Sequence, residues 1–362
     1  MLVTAIEASP LRSLDRVRVE LAPGIVSVIG PNGAGKTNLV EALYFALTGR
    51  SFRTSDRRDL IPFGGSLARA EATVRDEDGI EHQLLAAVSR SEGRRHLLDG
   101  SPADPATIAR ARPPVAVFAP DRLTLVKGPP AERRAHLDGF LAARWPARSE
   151  LRKRFGQAVA QRNALLSRIA AGFGSPADLA VWDSGFAAAA APLVEARAEA
   201  VVELARPFAD AAAELGLEDG VLEYAPRASG SEDEIRHGLE ERREQDVRLG
   251  RSSWGPHHDE LKLTSAGKSL RRFGSQGQQR AALLALLFAE RAALLEARRV
   301  IPLLLLDDVM SELDPGRRER LVARLDDGGQ VLITAADEES VPPAALQTVV
   351  PMPPSQTESA AA

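Results

Sequence analysis

The side chains in this sequence best suited to chemistry are a lysine and a threonine closing a glycine-rich run, and two adjacent aspartates far downstream. The run is Gly30-Pro31-Asn32-Gly33-Ala34-Gly35-Lys36-Thr37, which fits G-x-x-x-x-G-K-T. Its glycines let backbone N–H groups turn inward around phosphates, and a following helix adds its partial positive end. Lys36 is placed to reach the β- and γ-phosphates of a nucleoside triphosphate, and Thr37 to ligate Mg2+. The aspartates, Asp307 and Asp308, end the apolar run Leu303-Leu304-Leu305-Leu306. Asp307 suits the metal, through water or via Thr37, and Asp308 suits orienting or deprotonating an attacking water. The bland alternatives are a chance glycine turn and a strand-end acid capping the next helix. The strand before the loop, the helix after it and the presence of Lys36 weigh against both.

A third stretch, Ser275-Gln276-Gly277-Gln278-Gln279-Arg280, opens a run that is apolar nearly all round and reads as a buried helix over 278–297. Its free N–H groups and the Ser275 hydroxyl suit an anion. An ordinary serine cap is by itself the commoner explanation. Its position, after the phosphate loop and shortly before Asp307, favours an ATP site completed by a second copy of the chain.

The elements that must hold these residues follow from periodicity. Ile25–Ile29 reads as a strand running into the loop, and Lys36–Leu47 as a helix with Gly49 as its C-cap. Between Ala68 and Phe118, short runs such as Gln83–Val88, Arg94–Leu98 and Val115–Phe118 alternate with the turns Asp78-Gly79 and Asp99-Gly100. They read as an antiparallel sheet beside the nucleotide site. The segment 131–249 reads as a helical insertion in which Pro192 and Pro207 mark breaks or kinks and no heptad is sustained. In it, Ser231 and Glu234 form a capping-box pattern. Val331–Thr334 is a further buried strand. The expected organisation is an N-terminal ATPase lobe over 1–130, a helical domain over 131–249, the rest of the ATPase head over 250–350 and a disordered tail over 351–362.

Composition narrows the function classes. The chain has 362 residues, enough for two domains, and no Cys, which excludes disulfides and thiolate-bound zinc or iron–sulfur sites. No apolar run approaches the ~18 residues of a membrane span and no secretory pattern opens the chain, so a cytoplasmic protein is expected. The net charge of −4 means that any DNA contact needs a local basic patch, with affinity falling as salt rises. Candidate runs are Arg50, Arg53, Arg57 and Arg58, then Arg110 and Arg112, with Arg133 and Arg134 opening the insertion. For each, a solvated charged face is an equally good reading. Aromatics are only 4% of the chain, too few for a base-stacking platform, so contacts to duplex backbone are expected.

The order of phosphate loop, Ser275-Gln276-Gly277-Gln278, Asp307-Asp308 and Ser311-Glu312-Leu313-Asp314 resembles the ATP-binding-cassette ATPases. Gly35-Lys36-Thr37-Asn38 is typical of their chromosome-maintenance and repair branch. Leu11-Arg12-Ser13, Gly49-Arg50-Ser51-Phe52-Arg53-Thr54, Lys127–Arg134 and Gly255-Pro256-His257-His258-Asp259 resemble the RecF family of recombination mediators along nearly the whole chain. The resemblance implies an α/β cassette-type head, a mixed sheet with a flanking antiparallel sheet, plus an inserted helical domain without a long coiled coil. It implies binding of ATP and Mg2+, ATP-dependent homodimerisation and weak, DNA-stimulated hydrolysis. It also implies binding to duplex, gapped or junction DNA and work with RecR and RecO in loading recombinase at gaps. By the same resemblance the signature Ser275 of one subunit caps the γ-phosphate held by the other, and Asp314 lies in the D-loop at the dimer seam. Arg12 stands near the nucleotide.

The chain departs from these patterns in places. Asp308 stands where many cassette ATPases carry Glu, Thr334 occupies the region of the transporters' switch histidine, and Asp121 lies near the place of the Q-loop glutamine. His258 stands where relatives usually show Arg. The competing readings are a transporter ATPase, which needs a membrane partner and usually that histidine, and a Rad50-like tether, which needs hundreds of heptad residues. A small-molecule P-loop kinase has no use for the Ser275 motif.

Overall fold

The computed structural model describes residues 1–353 except 55, 299–300, 312 and 326–328, with no side chain described at 121 or 298. Two compact units emerge: Met1–Leu123 with Glu214–Gly216 and Leu294–Ala362, and Thr124–Ala213 with Leu217–Ala293.

The first unit holds two sheets. The inner one is five-stranded and parallel, in the order Thr348–Pro351, Ile25–Ile29, Val331–Ala335, Leu303–Leu306 and Val115–Phe118. Leu303–Leu306 and Val331–Ala335 are buried at every position, which is why they read as continuous apolar runs rather than alternating ones. The outer sheet is antiparallel and six-stranded, in the order Val17–Glu20, Leu2–Ala8, Leu67–Arg75, Glu81–Ser89, Gly93–Leu98 and Ser101–Pro102. The helix Lys36–Thr48 closes on Gly49 in the left-handed conformation (φ 65°). Its Leu39, Leu43 and Leu47 share one core with Val26, Val28 and Leu305 of the inner sheet and Ile6, Ala70 and Leu84 of the outer one. Gln330 adds polar stitches, accepting from the Val3 N–H (2.9 Å) and donating to the carbonyls of Val3 (2.7 Å) and Ala22 (3.0 Å).

The second unit is mainly helical: Pro130–Arg144, Leu151–Ala170, most of Leu179–Glu214, Glu232–Glu241, Arg243–Leu249 and the greater part of Gln276–Arg298. Ser231 and Glu234 close the expected capping box. A three-stranded sheet, Lys268–Ser269, Glu260–Ser265 and Val221–Ala225, completes the unit.

Several expectations need correction. Val115–Phe118 does not belong to the antiparallel sheet; it pairs in parallel with Leu303–Leu306, because both are apolar strands covered on two faces. The segment 131–249 is not wholly helical, since Val221–Ala225 pairs with Glu260–Ser265. That pairing joins residues on either side of 249/250, and the contacts divide at 123/124 and 293/294 instead. Pro192 and Pro207 do not end the helix Leu179–Glu214; its buried face (Phe186, Ala190, Leu193, Leu204, Phe208, Ala211) continues past both, and packing outweighs two missing N–H donors. The first residues of the stretch expected as a disordered tail over 351–362 are placed in the fold. Pro351 closes a strand and the Met352 N–H donates to the Ile29 carbonyl (2.7 Å). The Met352 carbonyl then lies where any Cβ at Gly30 would collide, so this segment backs the phosphate loop. Residues 354–362 lie outside the described residues.

Candidate nucleotide site

The strand Ile25–Ile29 delivers the chain into the loop, where Gly33 (φ 83°) and Gly35 (φ 93°) adopt left-handed backbone. Residues with a Cβ rarely tolerate that conformation, and it turns the amides inward. Gly35 caps the helix Lys36–Thr48 without a side-chain bond, leaving the first-turn amides to an outside anion.

Lys36 is nearly buried and its Nζ donates to the carbonyls of Gly30 (2.6 Å) and Pro31 (2.9 Å). Burial lowers its pKa, opposed by the charges of Asp308 and Asp307. An ammonium held by neutral carbonyls in a desolvated loop is poised to exchange them for phosphate oxygens.

The Thr37 hydroxyl donates to Asp307 Oδ1 at 3.1 Å, joining the loop to the end of the Leu303–Leu306 strand. Asp307 is buried and its pKa is raised, chiefly by burial; hydrogen bonds from Thr334 and Thr37 oppose this, and Arg53 does so through its charge. A buried carboxylate against a threonine hydroxyl is a donor set of hard oxygens that fits Mg2+. Asp308 follows in left-handed backbone (φ 49°), and its N–H donates to Thr334 Oγ1 at 2.9 Å. Thr334 in turn donates to Asp307 Oδ1 at 2.8 Å.

A polar cluster lies along the first turns of the loop helix. Glu41, fully buried, accepts from Arg12 Nε (2.7 Å) and Nη2 (2.9 Å), Ser51 Oγ (2.5 Å) and Arg53 Nη1 (3.3 Å). Asn38 bridges, donating to Ser13 Oγ (2.7 Å) and accepting from Arg53 (3.1 Å). The glutamate raises the pKa of Arg12. Arg12 thus enters the site held by Glu41. Arg53, grouped by sequence with an outward basic run, is folded back beside the loop, because the buried glutamate draws it in.

The remaining arginines separate by environment. Arg50 and Arg58 are exposed, whereas Arg57 is half-buried and donates from Nε to the Gly49 carbonyl (2.6 Å). Burial, then the charges of Arg94 and Arg50, lower the pKa of Arg57. Arg94 is exposed on the strand Gly93–Leu98, two residues before His96, whose Nε2 meets the Ala46 carbonyl at 2.9 Å. Arg50 and Arg57 therefore stand at the C-terminal end of the loop helix, and the charge of Arg94 acts on Arg57. Arg110 is exposed, and Arg112 is half-buried against the Pro113 carbonyl (3.0 Å). Arg133 is not available to DNA: it is buried, paired to Glu260 (2.7 and 3.0 Å) and donating to the carbonyls of Leu125, Val126 and Gly128. Arg134 donates to the Asp259 carbonyl (2.8 Å).

The signature residues lie on the second unit. Ser275 and Gln276 are exposed, and Gly277 and Gln278 half-buried. The helix starts at Gln276, two residues earlier than expected, because the Ser275 hydroxyl accepts from the Gln278 N–H (3.2 Å) while the Gln278 side chain accepts from the Ser275 N–H (2.9 Å). Asp314 caps the helix Pro315–Leu325 by accepting from the Arg317 N–H (3.0 Å). Glu312 lies outside the described residues, as does the side chain of Asp121 at the expected Q-loop.

Gly255–Asp259, left without a role by sequence, is a clamp inside the second unit. Asp259 is fully buried and accepts from the Arg227 N–H (2.7 Å), Arg197 (2.9 Å) and the Tyr224 hydroxyl. His257 packs on Phe155 and Phe186 at ring distances of 5.9 and 6.2 Å. Gly255 (φ 131°) leaves no room for a side chain, since a Cβ would come within 2.6 Å of Phe186.

A family model described as the RecF/RecN/SMC N terminal domain matches residues 2–358. The chain belongs to the RecF family. Its RecF relatives include the DNA replication and repair protein RecF of Streptomyces avermitilis, 36% identical over 94% of this chain and 95% of that protein. The protein of the same name from Heliobacterium modesticaldum is 32% identical over 96% and 95%. Among solved structures, the recombination mediator protein RecF with ATP, described as in the RecFOR pathway, superposes with a TM-score of 0.85 at 25% identity. That match covers 94% of this chain and 93% of the other. An Smc head bound to the C-winged helix domain of ScpA shares the fold at a TM-score of 0.58 and 17% identity. The RecF fold is thus a cassette-type ATPase head, and no coiled coil is indicated among the described residues.

Proposed function

We propose that this chain is an ATP-dependent DNA-binding protein of recombinational repair and replication, in which ATP acts as the switch. One observation carries the reading: Thr37 and Asp307, 270 positions apart in the chain, meet at 3.1 Å beside an uncapped glycine-loop helix. RecF relatives that are replication and repair proteins, and a neighbour bound to ATP, support it.

In this reading the loop amides of Gly30–Asn38 cradle the phosphates and Lys36 trades its carbonyl partners for β- and γ-oxygens. Arg12 and Arg53 line the nucleotide. Mg2+, held by Thr37 and Asp307, supplies neutralisation of phosphate charge. Asp308 orients water for attack on the γ-phosphorus and takes its proton as the bond to the β–γ bridging oxygen breaks. Two heads close head-to-tail on two ATP molecules, with Ser275–Gln278 of each capping the other's γ-phosphate and Asp314 at the seam. Closure clamps duplex, gapped or junction DNA, and slow hydrolysis releases it, with RecR and RecO as partners in loading recombinase. For the DNA contact, Arg50 and Arg57 at the end of the loop helix, with the charge of Arg94 acting on Arg57, favour backbone phosphates at that corner, with Arg58, Arg110 and Arg112 as further candidates.

Two substitutions test the switch. Lys36→Ala is expected to lose ATP binding. Ser275→Arg is expected to bind ATP normally and fail to dimerise with it. Sedimentation of Ser275→Arg with ATP decides: a normal dimer rejects the shared site. Asp308→Asn is expected to bind ATP, hydrolyse it at least tenfold more slowly and persist as the closed dimer.

A further inference from the structure

Thr334 stands on the strand Val331–Ala335 with no solvent exposure. A hydroxyl has one proton and two lone pairs. Here one lone pair is taken by the Asp308 N–H at 2.9 Å, so the proton goes to Asp307 Oδ1 at 2.8 Å. One side chain therefore governs two consecutive acids, the first through its carboxylate and the second through its backbone. The second bond matters because Asp308 holds left-handed backbone (φ 49°), unfavourable for a residue with a Cβ and kept only where the surroundings over-determine it.

A bland account is available, since threonine suits a buried strand by β-branching alone. Valine would suit it equally and bring no polar atom into a fully buried position. A hydroxyl with both functions used, at the junction of the two acids, is unexplained by strand propensity.

We propose that Thr334 is a positioning residue for ATP hydrolysis. Its hydroxyl aims the Asp307 carboxylate at the metal position and locks the backbone that presents Asp308 to water. This rests on the reading above, in which Asp307 and Asp308 serve hydrolysis. Thr37, also on Oδ1 of Asp307 at 3.1 Å, is free to turn to the metal only if another donor keeps that carboxylate in place, and Thr334 is that donor.

The test uses two pairs in the full-length protein that differ by the hydroxyl: wild type against Thr334→Val, and Thr334→Ser against Thr334→Ala. Turnover is measured in single-turnover ATPase assays. ATP affinity is measured by calorimetry with and without Mg2+. Loss of the hydroxyl is expected to lower the hydrolysis rate about ten- to hundredfold, in the range typical of partners that orient metal ligands. It is also expected to weaken the Mg2+-dependent gain in ATP affinity severalfold, with Mg2+-free affinity unchanged. Thr334→Ser is expected to restore both. Should Val or Ala keep wild-type turnover and Mg2+ response, or Ser fail as Ala does, the proposal is overturned. Asp308→Asn separates the two levels: if it hydrolyses ATP at the wild-type rate the parent reading falls, whereas a dead Asp308→Asn beside a normal Thr334→Val removes only Thr334. If Val or Ala does not fold, the remaining pair decides on the same readouts.

Discussion

Two side chains, one buried and one half-buried, show how single residues set this molecule's limits. Glu41 offers both carboxylate oxygens to Arg12, Arg53 and Ser51 inside the first unit. Breaking a fully buried pair typically costs ~3–5 kcal/mol, and the cost here is smaller because Arg12 and Arg53 keep part of their solvent contact. Glu41→Gln is therefore expected to lower the midpoint of chemical denaturation and to weaken ATP binding by releasing Arg12 and Arg53. Wild-type values for both would remove Glu41 from its anchoring role. His257 sets a pH limit. Its Nε2 faces the Ser252 carbonyl at 3.2 Å, and its buried Nδ1 has no partner, so a second ring proton has nowhere to bond. Burial, with the charges of His258 and Arg134, pushes its pKa down to about 4; the Ser252 carbonyl and Asp246 act the other way. The unfolded chain then binds the proton more tightly than the folded one. Stability is full above the ordinary histidine range near ~6.5 and falls as pH drops from there towards about 4. The expected loss is about 2 kcal/mol after allowing for the ring's partial exposure. It is read as the difference in unfolding free energy between wild type and His257→Phe at pH 7 and pH 4.5. A difference that does not change with pH would contradict it.

At the scale of elements, the inner parallel sheet is the platform of the site. Phosphate loop, Asp307-Asp308 and Thr334 all follow or end its strands, on the C-terminal side where open parallel sheets bind ligands. Leu303–Leu306 is buried at every position, so its registry with Val331–Ala335 and Val115–Phe118 is set by packing on both faces. Leu305→Ala is expected to cost ~2–5 kcal/mol, through lost transfer energy and the cavity left behind. Chemical denaturation checks this, and a change under 1 kcal/mol would mean that the sheet repacks around the gap. Hydrolysis is expected to fall with stability in that variant, because Asp307 lies two residues further along, at the end of the same strand. The segment through Met352 has a matching role: it closes on Ile29 and Gly30, so the phosphate loop is held from behind by residues near the far end of the chain.

For the whole molecule, charge distribution outweighs charge balance. The chain carries a net charge of −4, yet Arg50 and Arg57 stand at the end of the loop helix opposite to the phosphate loop, where the charge of Arg94 also acts on Arg57. One helix then has the proposed triphosphate site at its start and two arginines, Arg50 exposed and Arg57 half-buried, at its finish. Arg94→Glu is expected to weaken duplex binding at least threefold and to reduce the slope of log affinity against log salt by ~1, without altering ATP affinity. Fluorescence anisotropy at two salt concentrations, with and without ATP, measures it. An unchanged slope would move the DNA contact elsewhere, with Arg110 and Arg112 next in line.

Read alone, the residues carry the chemistry of the site well. Lys36, Thr37, Asp307 and Asp308 stand in short patterns whose meaning is local: a glycine loop before a helix, an apolar strand ending in acids. Local backbone preference also set Ile25–Ile29, the Gly49 cap and the Ser231 capping box, all found where periodicity put them. Tertiary structure decided whatever depends on partners distant in sequence. Arg133 looks like a solvated basic residue until Glu260 draws it in, and Arg53, though still exposed, is tied back to Glu41. Val115–Phe118 joins the inner sheet because its strand partner lies near residue 303, beyond the reach of periodicity. Thr334 marked only a missing histidine, and its two bonds to Asp307 and Asp308 exist because two parallel strands end side by side. Propensity and motif act over a few residues, whereas desolvation and pairing act across the fold, which is why the first could be read directly and the second could not.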